Sequence, residues 1–222
     1  MLESVKEIRW CNDIGMFAID RPIDKSCIWK TEECEETCFN NKLYKLYPNM
    51  HKKDIRNEAE WSQINGTALR NTLKRKKKQT KRVRLMTRGE SFDSVASVLK
   101  VKDLLIKNPD TEFWLITRSW RDMFIADGDI FAAVMEHIRP LHNARLLMSL
   151  DKTNSREEWI YLTKVLRLST MFYDAGKRES TPVGGKWFRC PKTFKGLKGH
   201  CEICKAGCFN TKKRVDVYLK QH

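Results

Sequence analysis

The sequence has no run of about 18 or more apolar residues, the length that a helix needs to cross a membrane. Its first ten residues, MLESVKEIRW, also lack a basic stretch followed by an apolar stretch, so they do not look like a secretory signal. These two absences exclude a helical membrane protein and disfavour secretion. We therefore expect a cytoplasmic protein that has no membrane partner.

Acidic residues are too few to balance the basic ones, since 43 Lys and Arg against 28 Asp and Glu give a formal net charge of +15. Much of the excess lies in LRNTLKRKKKQTKRVR, residues 69–84. Its candidate contacts to nucleic-acid phosphates are Lys74, Arg75, Lys76, Lys77, Lys78, Lys81 and Arg82. The alternative is a solvated helix face. No carboxylate pair at metal-binding spacing accompanies the run, which disfavours a nuclease.

Apolar residues are numerous enough for a core, at 41% of the chain with ten Phe and seven Trp. The apolar runs typical of buried strands are Gly15–Asp20, Val83–Thr87, Phe113–Thr117, Ala144–Leu150 and Ser169–Ala175. The last four begin roughly 25 to 31 residues apart, which is about the length of a βα unit. The sequence therefore predicts an α/β fold with a parallel sheet, either a partial (βα) barrel or an open twisted sheet.

Helical segments separate these strands. The predicted helices lie within Asp54–Lys78, Ser91–Asn108, Asp129–Ile138 and Asn154–Leu166. In the second of them, apolar residues recur at spacings of three and four, and Ser91 and Ser94 offer capping oxygens. In the fourth, Asn154 is the predicted N-cap and acidic residues occupy the first turn.

The eight cysteines favour metal binding over disulfides, because the cytosol is reducing. Cys11 stands alone and is typical of a small buried apolar residue. The other seven form two groups, which are Cys27, Cys34 and Cys38, then Cys190, Cys201, Cys204 and Cys208. Each group contains the pattern Cys-x₃-Cys-Phe-Asn, which suggests two loops around similar metal centres.

A change of composition marks the second cysteine group. From Gly176 the chain is rich in Gly and Pro before it reaches the cysteines. We therefore divide it into an α/β domain with the first cysteine loop at residues 1–175, and a Cys-rich metal-binding segment at residues 176–222.

The number of thiols distinguishes the two groups. The first has three, and its nearest histidine in sequence is His51, so a closed zinc tetrahedron lacks a local fourth ligand. A 4Fe–4S cluster on three Cys keeps one iron open. The second group has four thiols, with His200 adjacent, which suits an iron–sulfur cluster or zinc. In a third arrangement, cysteines of both groups meet at one site, with Cys11 as a further ligand.

Polar residues follow the predicted strands. Gly89 and Glu90 come after the second strand, Arg118 after the third and Asp151 after the fourth. Because the carboxyl ends of parallel strands meet at one edge of a sheet, these side chains are candidate ligand contacts, with Glu90 accepting from an ammonium group and Arg118 meeting an anion. The alternative for Glu90 is an ordinary first-turn acid.

The order of these motifs resembles a known family. A Cys-rich loop follows the first strand, a Gly-Glu turn follows the second, FWLITRS forms the third, and CP…C-x₂-C comes near the end. Over roughly residues 15–210 the chain resembles the gene product 88 family of cysteine-rich proteins from phages and mobile elements. That family is itself similar to radical S-adenosylmethionine (SAM) enzymes, which have a partial (βα)₆ barrel.

The resemblance implies roles for particular residues. It implies a 4Fe–4S cluster on Cys27, Cys34 and Cys38, with SAM as a cofactor whose methionine amine meets Gly89 and Glu90. It also implies auxiliary-cluster ligands among the C-terminal cysteines, and a host-cell cytoplasmic location if the chain is phage-encoded.

The chain departs from the radical SAM pattern in two places. The radical SAM spacing is Cys-x₃-Cys-x₂-Cys, whereas this chain has Cys-x₆-Cys-x₃-Cys, and Arg88 replaces the first of two paired glycines. Whether the protein is an enzyme stays open. The alternative is a non-catalytic nucleic-acid-binding module with structural zinc or iron–sulfur sites.

Overall fold

The computed structural model describes residues 3–6, 8–12, 14–76, 81–174, 187–195, 201, 204, 208 and 214–220. The strands in these ranges are β1 (Arg9–Cys11), β2 (Met16–Ile19), β3 (Arg82–Leu85), β4 (Glu112–Thr117), β5 (Ala144–Leu150), β6 (Ser169–Asp174), β7 (Phe188–Arg189) and β8 (Asp216–Lys220). The helices are α1 (Ile23–Ser26), α2 (Glu32–Glu36), α3 (Phe39–Leu46), α4 (Pro48–Gln63), α5 (Gly66–Arg75), α6 (Val95–Ile106), α7 (Asp122–Ile125), α8 (Asp129–His137), α9 (Arg156–Ile160) and α10 (Pro191–Lys195). A 3₁₀ turn at Ser119–Arg121 precedes α7, and a π-helix at Tyr161–Val165 continues α9.

The strands form one sheet in the order β1-β2-β3-β4-β5-β6-β8-β7. Only β1 runs antiparallel to its neighbour; the other pairs are parallel. The predicted α/β class with a parallel sheet is therefore confirmed. Its edge strands are β1 and β7, so the described part of the sheet is open and not closed into a barrel.

The strand order places the helices on one face. From β2 to β6 each strand lies beside the one before it, and right-handed crossovers taken in one direction keep the helices on one side of the sheet. The main core lies on that side, where Phe113, Leu115 and Phe172 of the strands pack with Leu104 and other residues of the helices. We call this the helical face.

The opposite face, which we call the cysteine face, carries a smaller apolar cluster. It contains Met16, Trp114, Leu147, Met171 and Val217. Cys11, Cys190, Cys201 and Cys208 pack against this cluster. Side chains alternate along a strand, so the same strands serve the core on one side and the cysteines on the other.

The predicted strands all form, and Ala144–Leu150 has the bounds expected of it. The predicted helix over Asp54–Lys78 begins earlier and is broken into α4 and α5, because Asn65 accepts a bond from the Ala68 N–H and starts a new helix. Lys77 and Lys78 lie outside the described residues.

The predicted N-caps have different outcomes. Ser94 caps α6 as expected, accepting from the Ser97 N–H at 3.1 Å. The prediction of Asn154 as a cap is wrong by one residue, because Ser155 forms a capping box with Glu158.

β8 was not predicted from the sequence. It pairs with β6 and carries β7 on its other side. The segment from 176 onward thus contributes to the same sheet as the rest of the chain, and the division at residue 175 stays a prediction.

Candidate metal centres

The first cysteine group lies just beyond β2. Cys27 follows α1, Cys34 lies in α2, and Cys38 precedes α3. All three are half-buried. Burial raises the pKa of Cys27 to about 12, and the nearby charges of Glu90, Cys34 and Cys38 add to the effect. The fold therefore brings the three thiols together, in surroundings where Cys27 needs a nearby cation to be held as a thiolate.

Backbone contacts hold the start of this loop. The Trp29 indole Nε1 donates to the Phe92 carbonyl oxygen at 3.0 Å. Arg121 Nη1 donates to the carbonyl oxygens of Trp29 and Lys30, at 3.1 and 3.0 Å. The turns after β3 and β4 thus both fix the segment between Cys27 and Cys34.

The second half of the loop is fixed by the end of β5. The Thr31 hydroxyl donates to Asp151 Oδ2, and it accepts from the Cys34 N–H at 3.0 Å. Lys152 Nζ lies 2.6 Å from Glu33 Oε2. Cys34 is therefore positioned by protein contacts alone, which is the arrangement of a preorganised site.

Gly89 lets the first cysteine loop lie close to the turn after β3, because it has no side chain. Its φ is +86°, and a Cβ there would lie 2.5 Å from Ser26 Oγ and 2.8 Å from the Arg21 carbonyl oxygen. The Glu90 N–H donates to the same Ser26 hydroxyl at 3.0 Å. A residue with a side chain would thus displace the segment that carries Cys27.

The Glu90 carboxylate is buried among backbone donors. Oε1 accepts from the N–H groups of Ser91 and Phe92, at 2.7 and 3.2 Å, and Oε2 accepts from the Arg118 N–H at 3.0 Å. Burial raises its pKa, which the hydrogen bonds from Arg118 and neighbouring residues oppose. In this structure Glu90 joins the turn after β3 to the end of β4.

Arg118 and Asp151 form a buried ion pair beside Cys34. Arg118 Nη1 lies 2.8 Å from Asp151 Oδ2, although the angle there does not make a hydrogen bond. Burial raises the pKa of Cys34, and the Arg118 charge opposes that rise. Asp151 also accepts from the Thr153 N–H and hydroxyl. Gly89, Glu90, Arg118 and Asp151 are thus brought around the first cysteine group, as expected of a shared strand-end site.

In the sequence, Arg88 stands where the radical SAM pattern has the first of two paired glycines, and the structure gives it a separate role. Its Nε and Nη2 donate to the two carboxylate oxygens of Asp54 at 2.6 and 2.8 Å, and its Nη2 lies 3.0 Å from Asp20 Oδ2. The side chain therefore ties the turn after β3 to α4 and to the end of β2.

Tyr173 is a site residue that sequence reasoning missed. Burial raises its pKa to about 12, and the charges of Cys38, Cys34 and Glu33 add to the effect, which places the phenol beside the first group. Within the described residues its hydroxyl has no hydrogen-bond partner. The available signal was alternation along β6, which puts Tyr173 on the same face as Met171.

The second cysteine group lies further toward the amino ends of the strands, on the cysteine face. Its residues line a cavity of about 40 Å³: Cys190, Cys201, Cys204 and Cys208, together with Trp114, Met171, Phe188, Val217 and Leu219. Burial raises the pKa of Cys208 to about 12, and the charges of the other three thiols add to the effect. The four predicted ligands therefore converge, and they do so at a different position along β6 from the first group. His200 lies outside the described residues.

Within the ranges given above, no three His, Cys, Asp or Glu side chains already surround a single metal position.

The basic run is exposed only in part. Lys74, Arg75, Lys76 and Lys81 are exposed. Arg82 is half-buried, with Nε 2.8 Å from Glu112 Oε2 and Nη1 donating to the Cys201 carbonyl oxygen at 3.3 Å. Arg82 thus joins the sheet to the second cysteine group, whereas Lys74, Arg75, Lys76 and Lys81 are the exposed cations among the described residues of the run.

Comparisons with known proteins identify a family for this chain. None of the described helices is long and apolar enough to cross a membrane. No curated protein and no solved structure matches the chain. The family model described as gene product 88 matches residues 7–216, which takes in both cysteine groups, and the chain therefore belongs to the gene product 88 family.

Proposed function

We propose that this protein is an iron–sulfur protein whose first centre is a 4Fe–4S cluster held by Cys27, Cys34 and Cys38. The observation that carries the proposal is the convergence of three half-buried thiols at the carboxyl end of the sheet, beside Glu90, Arg118 and Asp151. Strand ends of parallel sheets are where ligand sites gather.

The donor set fits such a cluster. The loop supplies three thiols and no imidazole, so its own residues do not complete a zinc tetrahedron. Arg118 lies against Cys34 and can stabilise a thiolate there. When bound, the cluster supplies one-electron chemistry and an iron that a small ligand can reach.

The chain's own residues do the positioning. Thr31 and Asp151 hold Cys34 in position. Gly89 and Ser26 hold the segment before Cys27. The Tyr173 hydroxyl lies beside Cys34 and Cys38. Tyr173 and the Arg118–Asp151 pair are the polar side chains that would stand beside a cluster held by these cysteines.

SAM fits this site less well than the cluster does. A carboxylate offers about four lone-pair positions. Glu90 already accepts from three backbone N–H groups and lies within bonding reach of the Thr117 side chain. An ammonium group would have to displace one of these donors. We derive no step through SAM, and a radical SAM-like activity stays a prediction.

The second cysteine group would hold a structural or electron-carrying centre. Its four thiols fill every position that zinc or a 4Fe–4S cluster offers to protein ligands, so no open metal position remains there. The alternative function is a non-catalytic binding module. In that case the second group would hold a structural zinc, with or without a cluster at the first group.

The proposed partner is nucleic acid. The net charge of +15 and the exposed cations Lys74, Arg75, Lys76 and Lys81 support it, because contacts to phosphates need cations that are not committed to the fold. The charge supplies no preference for DNA or RNA.

Iron and sulfide analysis of anaerobically purified protein tests the proposal. We expect about four irons per chain to be lost in Cys27→Ser, with the visible charge-transfer absorbance reduced and not abolished if the second centre is also a cluster. Cys11→Ser is the matched control, because Cys11 lies outside the first cysteine loop, and it should keep the four irons of the first centre. A wild-type chain that contains zinc alone, or a Cys27→Ser chain with unchanged iron, would contradict the first centre.

A further inference from the structure

Arg84 is the residue that the described contacts leave least explained. It lies in β3, where its Cα pairs with Ala18 on one side and Trp114 on the other. The centre of its guanidinium is 4.8 Å from the Trp114 ring centroid. Since Trp114 lines the cavity of the second cysteine group, this stacking places the Arg84 cation on the cysteine face, beside that cavity.

The guanidinium has an unsatisfied donor. Arg84 Nε is shielded from solvent and has no hydrogen-bond partner. Within the described part of the chain, no carboxylate lies within ion-pair distance of Arg84. A buried donor without an acceptor costs about 1–3 kcal/mol, and more when it is charged. The stacking on Trp114 accounts for the position of the ring and leaves the Nε–H without an acceptor.

The negative groups near Arg84 are mostly thiols. Its charge is coupled to Asp20, Cys11 and Cys201. The Asp20 carboxylate already forms ion pairs with two other arginines, since its Oδ2 lies 2.7 Å from Arg9 Nε and 3.0 Å from Arg88 Nη2. Among the described residues, the other negative groups coupled to Arg84 are the thiols of Cys11 and Cys201, and Cys201 belongs to the second group.

We infer that Arg84 is the charge partner of the metal centre at Cys190, Cys201, Cys204 and Cys208, and that its buried Nε–H donates to a sulfur of that centre. The inference rests on the proposed function. Four thiolates around a divalent metal, or around an oxidised 4Fe–4S cluster, leave a net charge of about −2. A fixed cation beside the site offsets that charge, and an N–H bond to sulfur is one of the means by which a protein tunes such a centre.

Arg84 is thus a positioning residue of this site and not a ligand. Cys11 packs on the same apolar cluster and is also coupled to the Arg84 charge. The role explains why β3, in which Val83 and Leu85 face the core, carries Arg84 on the face that meets the cysteines.

The test isolates the second site in a Cys27→Ser chain and compares Arg84→Met with Arg84→Lys. Methionine keeps a long apolar side chain against Trp114 and removes the charge and the N–H, whereas lysine keeps the charge. Arg145→Met is the matched control, because Arg145 stands on the other side of Trp114 and lies 2.7 Å from Glu112. Metal is reconstituted into each full-length variant, and its retention against a chelator is measured together with the visible spectrum.

We expect Arg84→Met to bind metal about 10- to 100-fold more weakly than the Cys27→Ser parent, with Arg84→Lys between the two and Arg145→Met unchanged. Equal retention in Arg84→Met and Arg145→Met would overturn the inference. Circular dichroism shows which variants fold; if Arg84→Met does not, the comparison of Arg84→Lys with Arg145→Met decides. A parent chain that holds no metal would instead overturn the second centre itself, and with it this inference.

Discussion

Arg118 Nη1 lies 2.8 Å from Asp151 Oδ2, and the pair joins the ends of two neighbouring strands at the point where Cys34 approaches them. Both side chains are almost withdrawn from solvent, at 9% and 0% exposed. A buried pair of this kind is costly to break, because the remaining charge has no partner.

We therefore expect Asp151→Asn to lower the free energy of unfolding by about 3–5 kcal/mol and to reduce the iron held by the first group. Glu112→Gln is the control, since Glu112 is 31% exposed and its loss should cost only about 0–1 kcal/mol. Urea unfolding of the two variants checks the difference. Equal losses would show that the Arg118–Asp151 pair does not anchor the site.

The second prediction concerns Gly89. Gly89→Ala places a Cβ 2.5 Å from Ser26 Oγ in a backbone with φ +86°, so either the turn or the Cys27 segment must move. Gly128→Ala is a matched control, because its φ is +81° and its Cβ would meet only the Met123 Cα, at 3.8 Å. We expect Gly89→Ala to cost about 1–3 kcal/mol more than Gly128→Ala, measured by thermal unfolding. Similar costs would mean that the close approach to Ser26 relaxes without consequence.

The third prediction is a pH dependence that arises from Asp20. Burial acts to raise its pKa, but the Arg88 and Arg9 guanidinium groups and the Thr87 hydroxyl outweigh that effect and hold the pKa below its ordinary value. A carboxyl group with a lowered folded-state pKa contributes stability above its ordinary pKa, and that stability is lost as the pH falls through the folded-state value.

We expect the unfolding free energy of the wild type to fall between about pH 5 and about pH 2, and Asp20→Asn to fall less steeply over that range. Asp110→Asn, at an exposed position before β4, serves as the control for a single removed carboxylate. Parallel pH profiles for wild type and Asp20→Asn would contradict the prediction.

The fourth prediction tests the nucleic-acid partner. Replacing Lys74, Arg75 and Lys76 with Gln removes three exposed cations, so the slope of log affinity against log salt should fall by about 0.9 for each lost duplex-phosphate contact. The control replaces Lys6, Arg156 and Lys164, which are exposed elsewhere and remove the same charge. If both triple variants bind a labelled duplex and a labelled single strand like wild type, the basic run is a solvated surface.

The sequence predicted the framework well because that signal is local. The apolar runs and their spacing predicted strands β2 to β6. The expectation that the carboxyl ends of parallel strands meet at one edge of the sheet predicted that Glu90, Arg118 and Asp151 lie near one another. β8 was not predicted as a strand because its apolar residues, Val217, Tyr218 and Leu219, lie among cations in what looks like a basic tail.

The roles of single residues were less predictable because they depend on distant contacts. Nothing local to Gly89 shows that Ser26 lies against its Cα, and nothing near Asp151 shows that Thr31 donates to it across the site. The same holds for Arg88, whose partners Asp20 and Asp54 come from earlier parts of the chain. Such contacts appear only once the chain is folded.

The place of β8 between β6 and β7 has a consequence for how the protein is made on the ribosome. β7 is synthesised first, yet among the described strands its pairing partner is β8, and the Cys190 N–H donates to the Tyr218 carbonyl oxygen, so Cys190 reaches its final position only after residues 216–220 have been made. The hydrogen bonds and ion pairs described above for the first cysteine loop come from residues no later than Lys152. This loop can therefore be held in place while the chain is still growing, whereas the second cysteine group can come together only after residues 216–220 have been made.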